Sequence, residues 1–536
     1  MRNPNTSFAS EVPADAPVAP PASALHPAAI ALLLLAIAAG LLAPIWTVRY
    51  PPIVDYPNHL ATAFMLAHLK DPALHFRDFY TADWNSYPYL TMDVILVGLQ
   101  RFVSINLAGR LLLSLCVLSV PVAVWFFIRQ ANPSEENLAF WSLLVSQNLF
   151  FFLNGFLNLQ LGLALCLFTV GVWVCYLERP RRGSWCLLLL LTTGLYFTHL
   201  EAFGIAGFVM TAYCVLSRRR IREVFLAWAL FVPGVLFYLH AVTGLKPSHE
   251  VQFRGLGNKF AGLLVVVLGY SLALDFLTLV LVIGALFWAR YNPEFRWNRA
   301  WIGTVGCLFA LYWVLPAAYG TATNPDRRVL PFLAVLGLAA VKVGQTRGRE
   351  LARVAVLLFL LRAGGLEWDS VSLQPHLAKL ATSFAAIPND ARVLPLVGWA
   401  AGAPLVERHF WAYGMIQRGW FSPYLLHTSG AMPFQVRLQT YTPYGPAFGY
   451  IESADWKRIR ADYDYVWAYG VPQFSGPLSG EGAVVFAAED LQVFKMGGRP
   501  MGHVEGDSRR SDELGKEDNL CFHRSFNCIP IPHSAR

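Results

Sequence analysis

AAIALLLLAIAAGLLAPIWTV, residues 28–48, contains no charged side chain and is long enough to cross a bilayer as one helix. It runs directly into RYPPIVDYPNHLATAFMLAHL, residues 49–69, where an acid, Asp55, stands just before Pro57 and Asn58. Apolar runs of similar character recur at 106–128, 155–177, 184–198 and 224–243. The chain as a whole is 55% hydrophobic and only 14% charged, with mean hydropathy +0.44. That leaves too few charges to cover a 536-residue water-soluble protein. The sequence therefore predicts a polytopic α-helical membrane protein, with eleven to thirteen transmembrane helices by hydropathy.

From about residue 367 the long apolar runs stop, and acids, arginines, prolines and glycines return every few positions, as in a globular domain. The expected organisation is a cytoplasmic disordered N-terminus at 1–27 and a transmembrane domain at 28–366 with its first outer loop at 49–89. A small extracytoplasmic α/β domain follows at 367–496, then a tail at 497–536 with many charges and no periodicity, read as disordered. Residues 1–25 lack a cleavable-signal layout, so the first span is expected to stay as an anchor.

The formal charge of +8 raises nucleic acid as a partner, but lysine and arginine sit mostly in short connections between spans, where they set orientation. Nucleic acid is not expected as a partner. Basic connections at 129, 179–182, 217–222, 290–299 and 342–353 belong on the cytoplasmic side of an inner or plasma membrane. That places 49–89, the turns near 154 and 199, 244–259, 319–327 and everything after 367 on the outer side. Two stretches stay open. Residues 89–103 read either as an interfacial or re-entrant segment or as a short span closed by a tight cytoplasmic turn at Arg101 and Arg110. Residues 260–289 fit one tilted helix or two short ones. Six of the eight cysteines lie in or beside apolar runs without metal-ligand spacing. Cys521 and Cys528 can pair if the tail is outside.

The first outer loop is long for a connection and mixes acids, aromatics and histidine. Asp55 has two readings: a helix cap before an amphipathic surface helix carrying Leu60, Phe64, Leu66, Ala67 and Leu69, or a general base facing a cavity at the outer boundary. His59 reads as a helix-surface histidine or an assisting group, and Asp83 as a turn former in ADWNSYP or a second acid. His199 and Glu201, between two apolar runs, are either a polar interfacial turn or cavity-lining groups, and Asp275 falls inside 260–288. Arg327 and Arg328 stand on the outer face against the positive-inside trend. An anionic lipid phosphate is a reason for them.

In order of features the chain resembles the GT-C class of membrane glycosyltransferases, the group of protein O-mannosyltransferases and aminoarabinose transferases that use polyprenyl-phosphate-linked sugars. VDYPNHLATAFMLAHL occupies the place of that class's acidic motif and amphipathic helix, with Tyr56 where a second acid is usual. SYPYLTMDVILVGLQRFVSINLAGRLLLSL is similar through Pro88, Tyr89 and Arg110, which favours the tight turn near 101–110. PDRRVLPFLAVLGLAAV resembles the class's basic entry to a late span, and IPNDARVLPLV, YDYVWAYG and AVVFAAEDLQVFKM read as strands of its outer domain. The resemblance implies transfer of a sugar from a polyprenyl-phosphate donor to a lipid or glycan acceptor at the outer face, among membrane lipids. It implies Asp55 as base with Asp83 and His59 beside it, Arg327 or Arg328 on the phosphate, and His199 and Glu201 lining the cavity. No cofactor is certain, and a divalent metal beside Asp55 is an option within the class. A transporter or flippase, expected to show duplicated halves, and a non-catalytic membrane scaffold are the competing readings.

Overall fold

The computed structural model describes residues 27–243, 251–291, 293, 295–319, 322–398, 405–425, 434–438, 440–443 and 454–497. The expected N-terminal segment, the Cys521–Cys528 pairing and nearly all of the tail lie outside the described residues. Within them the chain is mostly helical. Four helices are long and apolar enough to cross a membrane: Pro27–Trp46, Ile105–Ala131, Leu157–Glu178 and Ile221–Ala241. Shorter apolar helices accompany them at Leu90–Leu99, Leu200–Leu216, Leu256–Val266, Leu272–Trp288 and Arg299–Val314. Large apolar side chains such as Leu32, Leu35, Leu190, Leu236 and Phe276 point outward, an arrangement whose solvent is lipid rather than water. The protein is an integral membrane protein.

The helices Ile105–Ala131 and Leu157–Glu178 pack along each other at the centre. The first span buries Ile37, Leu41 and Ile45 against this bundle, with Gly40 allowing the helix Gln345–Ser372 to approach through Phe359 and Ala363. That last helix continues unbroken across residue 367. The stretch 260–289 resolves into two pieces, because Leu256–Val266 ends and a turn intervenes before Leu272–Tyr291. Asn148 holds this break open by donating its side-chain amide to the Val265, Val266 and Leu268 carbonyls, at 2.8, 2.8 and 3.0 Å. Asp275 accepts from the Gly269 amide at 2.9 Å and pairs with Arg362 at 2.8 Å. It is the first-turn acid of the second piece, compensated by an arginine rather than left alone in hydrocarbon.

The amphipathic helix expected to lie on the membrane surface, Tyr56–His68, is instead covered on nearly every side. Its expected apolar stripe is only part of what is buried, since Asn58, His59 and Thr62 are buried as well. The cover comes from helix Ala412–Arg418 of the C-terminal part, which packs along it, and from helices Leu90–Leu99 and Ile105–Ala131, while a strand pair joins the same loop, at Tyr80–Ala82, to Phe434–Val436. The Tyr80 hydroxyl fastens the same seam by donating to the Ser422 carbonyl at 2.7 Å. Sequence alone gave the helix one partner, the membrane; the chain supplies a second from about 350 residues away.

The C-terminal part is a small α/β unit with a four-stranded sheet. Val393–Val397 runs parallel to Tyr465–Tyr469, and the third expected strand, AVVFAAEDLQVFKM, folds as a hairpin of Gly482–Ala488 and Leu491–Met496. The turn uses Glu489 in the left-handed region. Trp467, wholly buried on the central strand, donates its indole N–H to Ser383 at 2.9 Å and so locks the sheet to the helical connection after the last span. Trp467→Ala is expected to cost about 3–5 kcal/mol, read as a fall in the thermal unfolding midpoint of the detergent-solubilised protein.

Candidate functional site

Asp55 reaches its place through main-chain bonding before any side chain acts. The Val54 amide donates to the Leu153 carbonyl at 2.9 Å, and the Asp55 amide to the Asn154 carbonyl at 3.2 Å. Residues 149–153, LFFFL, form a single π-turn, opened by the Asn148 side chain accepting from the Phe150 amide. The wider turn presents its carbonyls to the strand arriving from the first span. Gly155 completes the contact at φ +92°, and a Cβ there would lie 2.7 Å from the Asp55 Cβ. Only glycine satisfies both the dihedral and the space.

Asp55 stands at the cap position of helix Tyr56–His68, but its side chain accepts no capping hydrogen bond. The cap reading therefore fails on geometry, and the carboxylate is turned to another use. Its Oδ1 faces His409 Nε2 at 3.4 Å, with 17% of the side chain still exposed. Burial pushes the carboxyl up from its ordinary 3.8 to about 7, while the positive charges of Arg408 and Arg328 pull against that rise. His59 faces the same turn: its Nε2 bonds the Gly155 carbonyl at 3.1 Å, and burial lowers its basicity to about 4. His59 is thus a neutral donor that fixes the turn.

Arg327 and Arg328 lie in one helical turn, Pro325–Arg328, and stack on the aromatics that flank the Asp55 turn. Arg327 covers Phe150 at 5.9 Å and Arg328 covers Phe156 at 5.1 Å. The Nε atoms of both lack a hydrogen-bond partner among the described residues. Arg328 is within electrostatic reach of Asp55, Tyr89, His199 and Glu201 together. Behind them Asp326, fully buried, pairs with Arg254 at 3.2 Å and Lys259 at 2.9 Å. Arg254, Lys259 and Arg327 therefore neighbour the Asp326 carboxylate, while Arg328 stands in reach of Glu201 and Asp55. Such an excess of buried positive charge suits a bound anion.

The remaining expected residues divide. His199 begins the helix Leu200–Leu216, its Nδ1 accepting from the Ala202 amide at 3.2 Å, so it is a cap that also stands edge-on to Tyr89 at 5.0 Å. Glu201 follows it in the first turn. Asp83 is exposed, takes the Tyr87 hydroxyl at 2.8 Å and makes no contact with Asp55 among the described residues. Arg110 binds the Val48 carbonyl at 2.7 Å and so anchors the end of the first span. Four residues at the site were not singled out from sequence. Arg254 and Lys259 carried a readable signal, positive charge in a loop expected on the outer side. Arg408 and His409 did not, because they sit in ERHFWAYG, whose aromatics account for the stretch as core.

A divalent cation beside Asp55 does not fit these side chains. Asp55 is a single carboxylate with Arg328 and Arg408 in reach, and their charge opposes another cation. No group of three or more metal-ligating side chains stands among the described residues, and no step below is routed through a metal.

Two outcomes check this geometry. Gly155→Ala forces Asp55 away and is expected to cost about 1–3 kcal/mol, whereas Gly204→Ala, which meets open space, is expected to be neutral. Thermal midpoints of the two variants compare them directly. Because folding raises the Asp55 pKa, its ionisation opposes folding: the stability it contributes is complete below pH 3.8 and is lost as pH rises through about 7. Asp55→Asn should therefore stabilise the protein at pH 8, by up to roughly 4 kcal/mol, and much less at pH 5. A midpoint difference independent of pH is the contrary result.

No family model matches the chain, and no curated protein matches it. Among solved structures it is similar to ArnT from Cupriavidus metallidurans in the apo state, at 14% identity and TM-score 0.46 over 87% of this chain and 98% of that one. It is similar also to ArnT from the same organism bound to undecaprenyl phosphate, at 13% identity and TM-score 0.46 over 87% and 96%.

Proposed function

We propose that this protein is a membrane glycosyltransferase that moves a sugar from a polyprenyl-phosphate donor to a lipid or glycan acceptor on the outer side of the membrane. The observation that carries the reading is Asp55: a carboxylate held by the backbone, free of capping duty, partly open, and within reach of Arg328 beside a surplus of buried cations. In this reading the N-terminus is cytoplasmic, the shorter apolar helices complete the set of spans, and the C-terminal unit lies outside. The donor class follows the resemblance of the motifs around Asp55 and Arg327.

The reaction needs a base on one side of the anomeric carbon and positive charge on the other. Asp55 takes the proton of the acceptor hydroxyl as its oxygen bonds to the anomeric carbon. The bond from that carbon to the phosphate oxygen breaks, and the electron pair leaves with the lipid phosphate, stabilised by Arg328 with Arg327 behind it. Attack opposite the leaving group inverts the anomeric centre. His59 keeps the turn under Asp55 in place. Asp83 and Glu201 remain in the proposal as acids at the rim, and His199 as the cap that orients Glu201.

Comparing lipid-linked and surface glycans of a deletion strain with the same strain complemented by each variant tests the reading. Wild type should restore the lost product, Asp55→Asn should not at an equal protein level, and Arg328→Gln should restore it only weakly through a raised KM for the donor. Product formation should climb with pH through about 7 as Asp55 ionises. An unchanged glycan profile with Asp55→Asn overturns the proposal.

A further inference from the structure

We infer that His409, brought in by the C-terminal unit, is a positioning residue for Asp55, held with its Nε2–H toward the carboxylate by Asn58. The inference rests on the reading of Asp55 as the base, but its geometry comes from neighbours that the reading does not use.

The tautomer follows from a chain of obligate partners. The Tyr424 carbonyl can only accept, and the Asn58 side chain meets it with Nδ2 at 3.2 Å. That contact fixes which end of the amide is the NH2 group. The same Nδ2 lies 3.4 Å from His409 Nδ1, so its second hydrogen faces that nitrogen, and Nδ1 must accept. A neutral imidazole that accepts at Nδ1 carries its proton on Nε2. The Nε2 atom is the one 3.4 Å from Asp55 Oδ1.

The ring is held neutral by its surroundings. His409 is buried, and both Arg408 and His59 stand close enough to disfavour a further positive charge. The groups facing Asp55 are therefore His409 and Arg408 from the C-terminal unit, Arg328 from the turn Pro325–Arg328, and the backbone of residues 154–155. Of these, His409 offers a neutral donor: it can orient one carboxylate oxygen and leave the other for an acceptor proton, without the charge that would weaken a base. His59 makes an analogous contact one step back, on the Gly155 carbonyl that supports Asp55. The two histidines thus hold the carboxylate and its platform.

The test reads Asp55 directly and needs no substrate. Dicyclohexylcarbodiimide, a lipid-soluble reagent for protonated carboxyls, is applied to the full-length protein in detergent across pH 5–9, and modification of the peptide containing Asp55 is followed by mass spectrometry. His409→Gln places an amide donor where Nε2 was, His409→Asn places one nearer Nδ1, and His409→Phe keeps the ring without a donor. Wild type and His409→Gln should share a labelling midpoint. His409→Asn and His409→Phe should label at higher pH by about one unit, a tenfold change in the protonation equilibrium. Midpoints that coincide for all four proteins overturn the inference, as does a His409→Gln midpoint equal to that of His409→Phe. A purely packing role would order the variants by shape and separate His409→Phe from both amides. If instead the labelling order holds while Asp55→Asn cells keep a normal glycan profile, the positioning stands and the transferase reading falls.

Discussion

Two main-chain hydrogen bonds, from Val54 to Leu153 and from Asp55 to Asn154, are the constraint on which the arrangement of this protein depends. They join the exit of the first span to the turn before the helix Leu157–Glu178, two segments that loop charges alone would leave on separate outer connections. Val54 and Leu153 are buried, so losing the bond between them leaves buried polar groups unsatisfied. The turn is prepared on its far side by Asn148, which holds open the break before Leu272, and on its near side by Tyr270, whose hydroxyl donates to the Pro52 carbonyl at 2.7 Å. The carboxylate thus sits where three separate stretches of chain have been brought into register.

Charge is then distributed in two shells of different character. Close to Asp55 the neutral imidazoles act through short range and direction, His409 facing the carboxylate and His59 holding the Gly155 carbonyl beneath it. Further out Arg328, Arg327, Arg254 and Lys259 act through net positive charge around Asp326. The separation matters chemically. A cation near the carboxylate lowers its basicity, as Arg408 and Arg328 do here, while those paired with Asp326 can help hold an anion from further away. The raised pKa of Asp55 reflects that balance, since burial outweighs the arginines.

Much of the architecture was legible in the sequence because hydrophobic runs and loop charges report directly on the bilayer. The two readings of 260–289 came from length alone, and Asn148, a residue with no local pattern to mark it, holds the observed break at 267–271 through its bonds. Asp55, Arg327 and Arg328 stood out because each departs from what its surroundings would choose: an acid before proline with no partner in view, and arginines on the face that loop charges predict to be outer. Arg408 and His409 were hidden by their neighbours, because Phe410, Trp411 and Tyr413 justify that stretch as core. Asp83, a turn acid, accepts the Tyr87 hydroxyl, a local contact that sequence spacing alone does not show. The surface helix was half readable: its apolar stripe is real, and its other faces are buried by a partner that no local pattern could reveal.

The seam between Tyr80–Ala82 and Phe434–Val436, with Asn58 meeting His409 and Tyr424 beside it, has a consequence in time as well as in space. The first loop emerges early in synthesis, whereas the residues of the C-terminal unit that cover it follow about 350 positions later. Until that unit has been translated and folded, helix Tyr56–His68 lacks its cover and the carboxylate at its head lacks His409. Completion of the site is in this way coupled to folding of the C-terminal unit.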